Sequence, residues 1–307
     1  MRYSPVQYLV LFLNIQTFIS SPVVKYSTLN DAEYCRYALS DSNMQLQIWE
    51  NARRVLSLDK RTTCSCGTHC YYSPLKVFTT HHGSMLYNIS GVPVQYISNY
   101  KGGSMNIKAN LAANQLRSSG NLYMYNTSNV IIASKQMLQN FGFSDFRDVP
   151  SFTFVREPLE HFAAGLTEYH WWLKQHGPVS EISRSKVKEQ IEQFLDCQLP
   201  IAKSIHSVMH LYPQSGILTK YSPTYVGKLE QFQDDWIKIN SMYHINMTFA
   251  PLVHHVTSDD PFHSRDIFWQ VLREEPIYLK ALCILLEVDY KCFKYSISKY
   301  CSSLQQK

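Results

Sequence analysis

The sequence lacks internal repeats and low-complexity tracts, which excludes repeat solenoids and compositionally biased linkers. It also lacks any dense run of basic residues, although the formal net charge is +5. Mild, dispersed positive charge fits an enzyme that handles anions better than a nucleic-acid-binding protein. The hydrophobic share of 45% supports a full core, and 307 residues accommodate one α/β catalytic domain with an N-terminal extension.

Charge is absent from residues 3–24, and residues 6–20 (VQYLVLFLNIQTFIS) are largely apolar. The pattern predicts a secretory signal peptide or a signal anchor in residues 1–24. The apolar stretch is short and contains Asn14 and Gln16, so its physical properties favour a cleaved signal peptide. A buried N-terminal helix of a cytosolic protein is the alternative.

The eight cysteines are an even number, which permits full pairing in an oxidising lumen. The cluster TCSCGTHC at residues 63–70 suggests a zinc site, but no second Cys/His pair follows at a standard spacing. Disulfides are therefore favoured. Cys283, Cys292 and Cys301 pair either locally or with the N-terminal cluster, and the spacing leaves both possibilities open.

Residues 92–117 (VPVQYISNYKGGSMNIKANLAANQLR) predict a strand over Val92 to Tyr100, a glycine-bearing turn and a helix. Backbone N–H groups in such a turn, with the positive end of the helix dipole and the charge of Lys101, favour an anion. The full Walker spacing of glycines and lysine is missing, so a plain connection between strand and helix is the alternative.

Residues 151–174 (SFTFVREPLEHFAAGLTEYHWWLK) predict a second strand that runs directly into a helix. Pro158 suits the first helical turn, and Glu157 and Glu160 complement the helix start. Arg156 is then left at the carboxyl end of the strand. Ligands bind at that end of strands in α/β sheets, and a guanidinium there suits a phosphate group.

Together the two stretches resemble the Golgi carbohydrate sulfotransferases, which transfer a sulfonate group from 3′-phosphoadenosine 5′-phosphosulfate (PAPS). The segment YKGGSMNIK is similar to that family's 5′-phosphosulfate loop, Pro-Lys-x-Gly-(Cys/Ser/Thr)-x-(Asn/Ser)-x-Lys. The segment FVREPLEHFAAG is similar to its 3′-phosphate motif, Phe-Val-Arg-Asp-Pro-x-x-Arg-x-x-Ser. The family positions that match are Lys101, Gly103, Ser104, Asn106, Lys108, Phe154, Val155, Arg156 and Pro158.

Four residues depart from the family pattern. Tyr100 replaces proline, Glu157 replaces aspartate, His161 replaces arginine, and Ala164 replaces the serine that helps to hold the 3′-phosphate. Alanine has no hydroxyl group to donate. Thr167 lies three residues further along the same helix face, and its hydroxyl is the candidate to take over that contact. The alternative is that the contact is absent.

Two later stretches extend the resemblance in the same chain order. TYVGKLEQFQDDW, at residues 224–236, is similar to the family's strand followed by Gly-Lys-x-Glu and an acidic helix start. LLEVDYKCFKY, at residues 285–295, resembles its closing segment that ends in Phe-x-Tyr. The likeness thus covers residues 91–296.

The resemblance implies an α/β fold with a central parallel sheet flanked by helices, of the P-loop-like PAPS sulfotransferase type. It places a catalytic domain at 91–307, after the predicted signal segment at 1–24. Residues 25–90 form a cysteine-containing extension, and apolar residues such as Ile48 and Trp49 predict that it packs on the core. The acceptor would be a carbohydrate hydroxyl, and nucleic acid is not an expected partner. The protein would be a Golgi membrane protein with a lumenal catalytic domain and one membrane anchor, or else secreted.

The resemblance also implies the roles of the donor-site residues, without a metal ion. Lys101 is the catalytic residue, because it would contact the leaving phosphate. The full set of expected PAPS contacts is Lys101, Gly102, Gly103, Ser104, Met105, Asn106, Arg156 and Thr167.

The general base stays open among the histidines and one glutamate: His81, His82, His161, His170 and Glu230. The sequons at Asn88, Asn126 and Asn246 permit N-glycans in a lumenal protein. Two other functions compete with sulfonate transfer. One is a catalytically silent relative that binds glycan or nucleotide, and the other is a P-loop kinase, for which no convincing magnesium-binding carboxylate is present.

Overall fold

The computed structural model describes residues 31–58, 84–119, 138–145, 148–176, 181–200, 206–221, 223–250, 263–296 and 301. The predicted signal or anchor segment and the TCSCGTHC cluster lie outside these residues. Within the described ranges, none of the helices has both the length and the apolar character needed to span a bilayer.

A four-stranded sheet in the order β1-β2-β3-β4 forms the centre of the α/β fold. Its strands are β1 Ser84–Ile89, β2 Val92–Ile97, β3 Ser151–Val155 and β4 Tyr225–Lys228. β2, β3 and β4 run parallel to one another, but β1 pairs with β2 in the antiparallel sense. The expected central sheet flanked by helices is present, and the expectation that it is parallel throughout is corrected to a mixed sheet.

The antiparallel pair results from a two-residue turn at Ser90 and Gly91. Both residues have positive φ, 53° and 87°, as the tight hairpin turns that match strand twist require. The Asn88 side chain accepts a hydrogen bond from the Gly91 N–H at 2.9 Å. The predicted domain boundary near residue 91 therefore falls inside a hairpin, and β1 is part of the sheet.

Helices surround the sheet and account for most of the described chain. Their bounds are α1 Asp31–Ser40, α2 Ser42–Val55, α3 Ser104–Ser119, α4 Pro158–His176, α5 Arg184–Leu195, α6 His206–Met209, α7 Gly216–Lys220, α8 Phe232–Tyr243, α9 Ser264–Glu274, α10 Pro276–Leu285 and α11 Glu287–Cys292. A short 3-10 turn, Leu229–Gln231, joins β4 to α8. The strand-to-helix transitions predicted at residues 92–117 and 151–174 are both present.

Two apolar cores hold these elements together. In the first, Ile107 and Leu111 of α3 and Trp236 of α8 pack against Phe152 and Phe154 of β3. The second is helical, and it joins α4 to α2, α5, α9 and α10 through Leu159, Phe162, Trp49, Phe194, Phe268 and Leu282. α4 therefore starts at the sheet and runs through the helical core.

The extension that precedes the sheet packs on this helical core. Asp41 caps α2 by accepting from the Asn43 N–H at 2.8 Å. Trp49 is buried, and its indole N–H donates to the Leu195 carbonyl at 2.7 Å. Arg53 is buried too, and it pairs with Asp196 at 2.5 Å.

The described chain contains one long-range and one local disulfide whose two cysteines are both described. Cys35 of α1 is bonded to Cys292 of α11, and Cys283 is bonded to Cys301. Cys197 is also disulfide-bonded. The expectation of disulfides is thus confirmed for the described residues, and the local pairing near the carboxyl end is Cys283 with Cys301.

We predict that Gly165→Ala destabilises the protein. In an exposed helix, replacing glycine by alanine adds about 1 kcal/mol of stability. In α4, however, a Cβ at Gly165 would collide with the backbone carbonyl of His210, which cannot move away as a side chain can. Overpacking of this kind costs about 1–3 kcal/mol. Urea unfolding should give a lower midpoint for the variant, and an equal or higher midpoint would contradict the close packing of α4.

Candidate anion-binding site

The carboxyl ends of the three parallel strands meet at one edge of the sheet. A Cβ at Gly102, in the turn after β2, would collide with the Phe154 carbonyl of β3. A Cβ at Gly103 would lie 2.9 Å from Leu229, directly after β4. At Gly102 the obstacle is backbone, so only glycine permits this close approach of the turn to the end of β3. Gly103 lies against a side chain of the segment that follows β4. Ligands of open α/β sheets bind at this edge.

The turn between β2 and α3 is short, and two of its residues have left-handed backbone conformations. Lys101 and Gly103 both have left-handed φ, 60° and 73°. The Gly103 carbonyl accepts from the Ile107 N–H at 3.1 Å, and α3 begins at Ser104. The first N–H groups of a helix have no partner within it, so those of α3 face the turn. Met105 is 68% exposed, and its side chain is directed to solvent.

Lys101 is held by a carboxylate of α4. Its Nζ lies 2.6 Å from Oε2 of Glu168, and both side chains are largely buried, with 15% and 24% exposed. The predicted leaving-group contact thus has an internal partner that sequence reasoning missed. An anion in the turn would have to compete with Glu168 for this ammonium group.

Arg156 follows β3, as predicted, and lies beside two other charged side chains. Its Nη2 is 3.4 Å from Oε2 of Glu160, and the same oxygen accepts from Nη2 of Arg265 at 2.6 Å. Burial lowers the pKa of Arg156, the adjacent Arg265 lowers it further, and Glu160 acts in the opposite direction. Arginine remains charged despite such shifts.

A buried glutamine connects the two predicted motifs. The Gln214 side chain donates to the Arg156 carbonyl at 2.6 Å and accepts from the Arg156 N–H at 2.8 Å. The side-chain carbonyl of Gln214 also accepts from the Asn99 amide at 2.8 Å. The same amide of Asn99 donates to the Phe154 backbone carbonyl at 2.9 Å. Gln214 and Asn99 are both completely buried. The ends of β2 and β3 are therefore held in register by side-chain amides.

Asp289 of α11 holds the backbone of this glutamine in place. Its two carboxylate oxygens accept from the backbone N–H groups of Ser215 at 2.7 Å and Gln214 at 2.8 Å. Complete burial raises the pKa of Asp289 to about 6, although these hydrogen bonds lower it. The segment 285–295 thus contacts the backbone at Gln214 and Ser215.

Two tyrosines of the same segment donate hydrogen bonds to carboxylates beside the start of α4. The Tyr290 hydroxyl donates to the Glu157 carboxylate, whose pKa is raised by burial. The Tyr295 hydroxyl donates to Glu230 at 2.9 Å, and Glu230 accepts from the Glu157 N–H at 2.7 Å. Glu157 in turn accepts from the Glu160 N–H at 2.8 Å. The start of α4 is therefore capped by carboxylates of the chain itself.

The candidate bases occupy different environments. His161 is buried, with Nε2 2.8 Å from the Tyr100 carbonyl, and buried His170 has Nε2 2.7 Å from Gln190 Oε1. Both histidines thus have structural partners. Glu230 is exposed at the site edge, and His81 and His82 lie outside the described residues.

Thr167 is not brought to Arg156. Its hydroxyl donates to the Ala163 carbonyl one turn back at 3.2 Å, and the residue is 9% exposed. Ala164 is half-buried. Within the described residues, no hydrogen bond joins Thr167 to Arg156, so the hydroxyl expected to replace the family's serine is already used within the helix.

Glu168, Gln214, Asn99 and Arg265 are the site residues that sequence reasoning missed. No local signal marks them, because each contacts the site through packing of distant segments.

Over the ranges the structure describes, no group of three or more histidine, cysteine or acidic side chains is arranged to hold a metal ion. Comparison of the chain with protein-family models, curated proteins and solved structures finds no match.

The raised pKa of Asp289 predicts an unusual pH dependence of stability. The pKa in the unfolded chain is about 3.9. Because the folded value is higher, the contribution of this group to the free energy of unfolding is complete below about pH 4 and is lost as pH rises through 6.

Asp289→Asn removes this titration. We therefore expect the free energy of unfolding, wild type minus variant, to fall by about 1–3 kcal/mol between pH 4 and pH 7. Denaturant titrations at several pH values measure this difference. A difference that rises with pH, as for a carboxylate in an ordinary ion pair, would contradict the assignment.

Proposed function

We propose that the protein is a sulfotransferase that moves a sulfonate group from PAPS to a hydroxyl of a carbohydrate acceptor. The observation that supports this most is the convergence of four stretches from separate parts of the chain. The turn at 101–104, Arg156, Glu230 and the segment 285–295 meet at one edge of the sheet. They are the four stretches that resemble the Golgi carbohydrate sulfotransferases, and their meeting supports a P-loop-like sulfotransferase fold.

The turn and Arg156 would bind opposite ends of the PAPS molecule. The N–H groups at the start of α3 and the Ser104 hydroxyl hold the 5′-phosphosulfate, and Arg156 holds the 3′-phosphate. Asn99 and Gln214 keep the two sites at a constant separation. One rigid nucleotide then contacts both sites without reorganising the backbone.

Sulfonate transfer needs a positive group beside the leaving phosphate, because that phosphate gains negative charge as the S–O bond breaks. The acceptor oxygen attacks sulfur, an O–S bond forms, and the S–O bond to the 5′-phosphate breaks while a base takes the hydroxyl proton. The Lys101 ammonium leaves Glu168 and stabilises the charge that develops on the phosphate.

The acceptor is a glycan, and the protein works in the lumen of the Golgi, anchored or secreted. Disulfides support an oxidising compartment. Trp171, one helical turn beyond Glu168, is 40% exposed and offers an aromatic face for a sugar ring, whereas neighbouring Tyr169 is buried and donates to the Pro200 carbonyl.

A catalytically silent relative is the second candidate. The pairing of Lys101 with Glu168 favours it, because a lysine that never leaves its carboxylate cannot stabilise a leaving group. Such a protein would bind the nucleotide or glycan without transfer.

Binding of 3′-phosphoadenosine 5′-phosphate, the product nucleotide, tests both candidates against a kinase. The lumenal protein should gain thermal stability with rising ligand concentration in the presence of EDTA, because a ligand that binds only the folded state stabilises it by mass action. ATP with magnesium should have no comparable effect. If the melting temperature is unchanged at millimolar ligand, or rises only with magnesium, the proposal is wrong.

Two variants separate transfer from binding. Lys101→Ala should lower the transfer rate about a hundredfold or more while product-nucleotide affinity falls much less, since the charge counts most in the transition state. Glu168→Gln should tighten nucleotide binding, because the neutral amide competes less for Lys101. Glu189→Gln is the matched control, since Glu189 pairs with Lys186 at 2.9 Å on the surface of α5. If Lys101→Ala lowers the transfer rate and the nucleotide affinity by the same factor, Lys101 contributes to binding alone.

A further inference from the structure

We propose that Arg265 is a second cationic ligand for the anion that Arg156 binds, and that Glu160 occupies the place of this anion until it arrives. The inference rests on the proposed function for the identity of the anion, the 3′-phosphate of an adenosine 3′,5′-bisphosphate. It assigns a binding role to a residue of α9, more than a hundred positions beyond Arg156 in the chain.

The geometry of Glu160 carries the argument. One oxygen atom, Oε2, accepts from both guanidinium groups, at 2.6 Å from Arg265 and 3.4 Å from Arg156. Two positive groups that converge on one anionic oxygen form the arrangement that also holds a phosphate oxygen. The side chains of Arg265, Arg156 and Glu160 are 38%, 24% and 29% exposed, so a ligand from solvent has access to all three.

The dipole of the helix that carries Arg265 does not account for its positive charge. Arg265 lies in the first turn of α9, where the helix dipole disfavours a cation. A positive side chain there is better explained by the anion it faces. Glu157 and Glu230 also act on the charge of Arg156, but Glu160 is the carboxylate whose oxygen contacts both guanidinium groups.

Two other carboxylates lie near Arg156 and already have hydrogen-bond donors. Glu157 accepts from the Tyr290 hydroxyl and from the Glu160 N–H, and Glu230 accepts from the Tyr295 hydroxyl and from the Glu157 N–H. Glu160 is the carboxylate on the guanidinium groups themselves, and a phosphate would replace it there.

The helix α4 supplies no serine or threonine hydroxyl to an anion at Arg156. Ala164 has none, and the Thr167 hydroxyl donates to the Ala163 carbonyl. A second guanidinium supplies what the helix itself does not.

A comparison of two nucleotides isolates the contact. Isothermal titration calorimetry with 3′-phosphoadenosine 5′-phosphate and with adenosine 5′-phosphate, which lacks the 3′-phosphate, would be done on wild type, Arg265→Ala, Arg265→Lys and Glu160→Gln. The matched control is Arg273→Ala, at the other end of α9. Thermal unfolding without ligand checks that each variant is folded.

We expect Arg265→Ala to weaken binding of the bisphosphate by about ten- to a hundredfold, the range for a hydrogen bond to a charged group. Binding of the monophosphate should stay within about twofold of wild type, given the usual scatter of surface substitutions. Arg265→Lys should recover part of the loss, because lysine keeps the charge but not the bidentate fork. Glu160→Gln should tighten bisphosphate binding, and Arg273→Ala should leave both affinities unchanged.

The outcomes separate the inference from the function on which it rests. If wild type binds the bisphosphate no more tightly than the monophosphate, the proposed donor site is wrong. If wild type prefers the bisphosphate and Arg265→Ala and Arg265→Lys both keep that preference, Arg265 is not a ligand and the proposed function stands. Equal weakening of both nucleotides by Arg265→Ala would also overturn the inference.

Discussion

The buried side-chain amide of Gln214 is the interaction on which the geometry of the candidate site depends. This amide hydrogen-bonds to the backbone N–H and carbonyl of Arg156 and to the Asn99 side chain. The backbone N–H of Gln214 donates to the Asp289 carboxylate. Gln214 and Asp289 are completely buried, so an unpaired polar group on either side chain would be costly. The network joins the ends of β2 and β3 to α11, which are far apart in sequence. A site divided between two strand ends needs such a link to present both halves at a constant distance.

The cations of the site are satisfied by carboxylates of the chain itself. Glu168 pairs with Lys101, and Glu160 pairs with Arg156 and Arg265. Partly buried charges without partners would destabilise the fold, so these pairs are what allows the cluster to persist without a ligand. Under the proposed function the same pairs oppose donor binding, because an incoming phosphate must displace a carboxylate. The affinity for the proposed donor would then depend on how much more strongly its two phosphate groups bind these cations than the two glutamates do.

Local patterns predict the strand-to-helix transitions well. β2 with α3, β3 with α4, the cap at Asp41 and the helix start at Pro158 each follow from residues close in sequence. The antiparallel pairing of β1 is marked only by the turn at Ser90 and Gly91. Gln214, Glu168 and Arg265 carry no local signal, since their roles come from packing between segments dozens of residues apart. The placement of Thr167 follows from helix geometry, where a hydroxyl bonds readily to the carbonyl one turn back.

The most direct measurement of the central claim is a crystal structure of the protein with 3′-phosphoadenosine 5′-phosphate. We predict one nucleotide that spans both halves of the site, with its 5′-phosphate on the N–H groups of residues 102–106 and its 3′-phosphate on Arg156. In that complex Lys101 should have left Glu168, and the Asn99 and Gln214 contacts should be unchanged. A nucleotide bound elsewhere, or one that contacts the turn while its 3′-phosphate lies away from Arg156, would contradict the proposed donor site.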